Sequence, residues 1–79
     1  MDGAYREMRR AELMIQEMES IASPEAPMAR RILDIASEMY HSSYNAYQAG
    51  EYFKAAEYAV GVKDLMRGID KTYNVAKVS

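Results

Sequence analysis

"YNAYQAGEYFKAAEYA", Tyr44 to Ala59, holds four tyrosines and a phenylalanine around one Ala-Gly pair. Gly50 decides how the stretch folds. Without a Cβ it can take the left-handed conformation that ends a helix. Apolar residues keep helical spacing on both sides of it, so the stretch reads as the turn of a helical hairpin.

Upstream, the two prolines, Pro24 and Pro27, fall within "SIASPEAPMARR". Ser23 suits an N-cap with Pro24 at the first helical position, or the helix begins at Pro27. No strand-like alternation and no Asn-Gly or Asp-Gly hairpin signal occurs. Three helices are expected, at about 4–22, 25–49 and 51–76, with connections short enough to make neighbours antiparallel. The expected fold class is all-α. It is a single domain over 1–79, a three-helix up-down-up bundle in which a first helix packs on a long helical hairpin.

Placing residues at about 100° each gives every helix a face. In the first, Ala4, Met8, Ala11, Ile15, Met18 and Ala22 form a stripe widened by Met14 and Ile21, with Leu13 on the polar side. In the second, Met28, Ile32, Ile35, Ala36, Met39, Ser43 and Ala46 line one face, extended by Leu33, Tyr40, Tyr44 and Tyr47. In the third, Ala55, Tyr58, Ala59, Val62, Leu65, Met66, Ile69 and Tyr73 form the stripe. Antiparallel pairing then sets Ile32 near Ile69 and Met28 near Tyr73. Across the proline turn, Glu17 and Glu19 approach Arg30 and Arg31.

The totals limit function. A chain of 79 residues has room for one modest core. Net charge is −2 with both signs interleaved, so no basic stripe points to nucleic acid. There is no cysteine for a disulfide or thiolate metal site, and one histidine cannot build a multi-histidine site within the chain. Charges throughout the first 20 residues argue against a signal peptide or a membrane anchor, which makes the cytosol the default location.

Two local resemblances follow from quoted residues. "GEYFKAAEYA" resembles the turn and second-helix start of a tetratricopeptide repeat, with Gly50, Glu51, Tyr52 and Ala55 matching. No second copy follows about 34 residues away, so a tight helical hairpin is what this similarity implies here. "YNAYQAGEYFKAAEYAVGVKDLMRGI" resembles the last two helices of a small archaeal three-helix family of unknown function, with Tyr58, Ala59, Gly61 and Asp64 carrying its second motif. That resemblance implies a helical bundle and no activity.

Other motifs read as surface. Glu38 and His41 have the Glu-x-x-His spacing of di-iron bundles but fall on the polar face without companion ligands. Arg6, Arg9, Arg10, Arg30 and Arg31 alternate with glutamates at helix-neighbour spacings, which favours ion pairing over phosphate binding. Gly61 and Gly68, seven apart in the third helix, leave room for close approach. No catalytic constellation, metal site or cofactor site is expected.

One feature exceeds what a three-helix bundle needs. Phe53, Ala56 and Val60 lie opposite the third helix's main stripe, with Tyr44 and Leu33 at the edge of the second helix. Either the first helix covers them or they form an interface, most simply with a second copy. The expected function is a non-catalytic helical interaction or assembly module that binds a protein partner or itself. The alternative is a small-ligand or nucleotide-handling domain, which would require Tyr40, Tyr44 or Tyr47 to converge with an arginine in a cleft.

Overall fold

The structure, a computed structural model, describes the backbone of residues 2–78 and the side chains of residues 3–78. It contains α1 (Asp2–Ser20), α2 (Ala26–Gln48) and α3 (Tyr52–Val78), with no strand among the described residues. The three pack as an up-down-up bundle with extents of 45 × 17 × 16 Å, and the α2–α3 hairpin is its most extensive seam.

Both turns close with the same backbone device. Gly50, at φ +79, follows α2, and its N–H donates to the Tyr47 carbonyl while the Glu51 N–H donates to that of Ala46. These are the paired bonds that satisfy the carbonyls left open at a helix end. After α1 the same pair runs from Ala22 to Glu19 and from Ser23 to Met18, but the left-handed position holds an alanine at φ 54. An L-residue with a Cβ is strained there by about 1 kcal/mol. Ala22→Gly is therefore expected to stabilise the fold by about 0.5–1 kcal/mol, seen as a higher urea midpoint at unchanged slope.

This turn corrects the expected first stripe. Ile21 and Ala22 leave the helix and are exposed, because α1 ends at Ser20. Entry to α2 is also later than the Ser23 cap implied. Glu25 occupies the N-cap position without a side-chain bond, and Pro27 lies in the first turn. Ser23 instead closes the connection, accepting from the Glu25 N–H at 3.2 Å and donating to its carboxylate at 2.8 Å.

The core contains Ala4, Ala11, Ile15 and Met18 of α1, Ala26, Ala29, Leu33 and Ala36 of α2, and Val62, Met66, Ile69 and Ala76 of α3. Alanines recur wherever two helices meet, and a methyl side chain allows close approach. At the Gly50 end the seam is closed by Ser43, whose buried hydroxyl donates to the Ala55 carbonyl across the hairpin at 2.8 Å.

The buried face of α2 is rotated from the expected one. Ala29, Leu33, Ala36 and Ser43 point inward, whereas Met28 and Ile35 are 59% and 45% exposed. The cause is α1, which covers only one flank of the hairpin. Arg30 pins it there, donating to Glu12 at 2.7 Å and to Glu19 at 3.1 Å. Glu17, expected beside Arg30, instead accepts from the Tyr73 hydroxyl on α3.

Arg30 holds the Glu12 carboxyl below its ordinary range, chiefly through their hydrogen bond. A carboxylate with a depressed folded-state pKa contributes stability above its unfolded pKa and loses it as pH falls through the folded value. Arg30→Met is thus expected to cost about 1 kcal/mol at pH 7. The deficit should shrink as pH drops below about 4.5, and paired urea titrations at neutral and acid pH would check it.

Candidate functional site

At 1.5 Å per residue, α1 is about 12 Å shorter than α3. It therefore stops before the Gly50 end and leaves the hairpin tip uncovered. Tyr44, Tyr47 and Tyr52 are exposed there, with the Tyr47 and Tyr52 rings edge to face at 5.4 Å. The rings are a surface ledge of the tip, not the enclosed interior of a hairpin.

The five residues singled out in the sequence divide between environments. Phe53 is 80% exposed and Val60 55%, and Ala56 between them is exposed, so α1 does not cover this strip. Helical geometry explains why. Val60 is followed on the same stripe of α3 by Lys63 and Arg67, which line a groove with Glu7 and Arg10 of α1, so Phe53, Ala56 and Val60 continue that stripe toward the hairpin tip, where α1 gives out. Tyr44, on α2, is exposed as well. Leu33 is 6% exposed and belongs to the core, against the expectation that placed it on an interface.

Sequence reasoning did not mark Met28 and Ile35 as surface. Together with half-buried Ile32, Met39 and Leu65 they make an apolar seam on the side of the hairpin away from α1. Gly61 and Gly68 keep that seam shallow. The Met39 methyl occupies the space where a Cβ on Gly61 would stand, and Ile32 comes within 3.9 Å of one on Gly68. The spacing of seven between these glycines was the available signal.

The grooves along α1 have mixed linings. One of about 350 Å³ runs between α1 and α2 beside Tyr5, Met8, Leu13 and Leu33. Another of about 230 Å³ lies between α1 and α3, lined by Glu7, Arg10, Met14, Lys63 and Asp70. Neither brings Tyr40, Tyr44 or Tyr47 to an arginine. Glu38 and His41 are exposed on α2, with the His41 ring edge-on to Tyr40 at 6.3 Å. Among the described residues no group of three metal-ligating side chains gathers. No helix among them is long and apolar enough to cross a membrane.

Fold and surface together define a class: a small helical bundle with one flank of its hairpin uncovered and apolar. Comparison with protein-family models, with curated proteins and with solved structures finds no match to this chain.

Proposed function

We propose that this chain is a helical interaction module, a binding rather than a catalytic domain, that uses the uncovered faces of its hairpin to hold a protein partner or a second copy of itself. The observation that carries this reading is the exposure of Phe53, Val60, Met28 and Ile35 at parts of α2 and α3 that α1 leaves open. Water-exposed apolar surface of this extent is costly at about 25 cal/mol per Å² and favours association.

Tagged chain expressed in its native host, purified and identified by mass spectrometry, tests the reading. The expected result is a stoichiometric companion, either a second copy or another protein, that is lost when Phe53, Val60 and Ile35 are each changed to serine. A chain that stays alone and monomeric in cells and in vitro would count against it.

A further inference from the structure

Charged residues flank the apolar seam of Met28, Ile32, Ile35 and Met39 on both sides. On the outer side of α2 stand Arg31 and Glu38, and on that of α3 stand Glu57 and Lys71. All four are exposed. Across the hairpin Met39 lies against Gly61 and Ile32 near Gly68. This register places Arg31 and Lys71 at the end of the seam near the α1–α2 connection. It places Glu38 and Glu57 toward Gly50. The remaining charges near the seam are matched within α3 and its N-cap. Lys54 pairs with Glu51 at 3.3 Å, and Asp64 has Arg67 at 3.8 Å.

We propose that the seam is a self-complementary interface on which a second copy of this chain docks antiparallel. The inference rests on the interaction-module reading and specifies its partner and geometry. A two-fold axis crossing the helices near Ile35 lays α2 antiparallel on α2 of the second copy. Arg31 then meets Glu38 of the second copy, Lys71 comes over its Glu57, and Ile35 packs on its own equivalent at the centre. An axis parallel to the bundle would instead set Arg31 against Lys71. The charge order therefore selects the antiparallel form and opposes the parallel one.

Light scattering after size exclusion, at concentrations up to about 100 μM, is the test. Wild-type chain should approach twice its 9.0 kDa mass. Ile35→Glu should be monomeric with its helical circular dichroism retained, since Ile35 is half in solvent in the single chain. Arg31→Glu should weaken association about 10-fold or more, and adding Glu38→Arg to it should restore most of the loss, because both pairs across the two-fold are reversed together. A wild-type monomer at the highest concentration overturns the proposal. So does a dimer that survives Ile35→Glu but is dissolved by Phe53→Asp. In that second case the chain still self-associates, so the interaction-module reading stands and only this interface fails. A monomer that captures a different protein separates the two readings in the same way.

Discussion

Ile69→Ala is expected to remove about 3 kcal/mol of stability. Ile69 is 0% exposed and packs in the middle of α3 within the shared core. Truncation deletes three carbons' worth of burial and leaves a cavity that alanine-lined neighbours cannot fill by moving inward. A chain of 79 residues is expected to have only about 4–12 kcal/mol in total, so the loss is a large share of it. Urea denaturation followed by circular dichroism would show a sharply lower midpoint, with Ile69→Val costing about 1 kcal/mol as the graded control. A loss under about 1 kcal/mol for the alanine variant would mean that the core does not centre on Ile69.

The second large effect concerns neighbouring residues whose roles invert what their types suggest. Ala36→Leu should cost about 3 kcal/mol, because Ala36 is fully buried where α2 faces both other helices and three added carbons would push them apart. Ile35→Ala, one position earlier, should change the stability of a single chain by less than about 1 kcal/mol, since its side chain is half in solvent. Measuring the pair in dilute chain, where association is negligible, decides which stripe of α2 is the core. If Ile35→Ala proves the more damaging, the rotation of α2 described above is wrong.

That rotation shows why part of the fold was legible and part was not. Met28, Ile32, Ile35 and Met39 make one stripe at helical spacing. Ala29, Leu33, Ala36 and Ser43 make another immediately beside it. Periodicity finds the apolar side of a helix but cannot say how much of it a neighbour will cover. The expected face joined the first stripe to Ala36, Ser43 and Ala46, and its larger side chains drew the centre of that face toward Met28 and Ile35. The smaller ones in the second are what let α1 come close. Third-helix burial was easier to read. Val62, Met66 and Ile69 lie near the middle of a single wide stripe that faces both neighbours, and all three are buried as expected.

The turns divide in the same manner. Gly50 announced its turn because glycine is the residue whose backbone meets no Cβ penalty at positive φ. Ala22 makes an equivalent turn with no such signal, since the α1–α2 connection imposes the conformation on a residue that disfavours it. Among the candidate surface residues, Phe53, Ala56 and Val60 were recognisable because they lie opposite a well-formed stripe. Leu33 was not, because whether it faces water depends on which flank of α2 receives α1.

By itself, the sequence determined an all-α chain, three helices within two residues of their observed ends, and the antiparallel hairpin through Gly50. These follow from local rules, since helical spacing, prolines and a left-handed glycine act over a few residues. Only the tertiary structure decided which flank of the hairpin α1 covers. It thereby decided that Leu33 is core, that Tyr44, Tyr47 and Tyr52 form an open ledge, and that Met28 and Ile35 face outward. The physical reason is that covering a flank is a competition between two similar apolar stripes. It is settled by close packing against alanine and by the Arg30 bridges to Glu12 and Glu19, contacts between residues 11 to 18 positions apart in the chain.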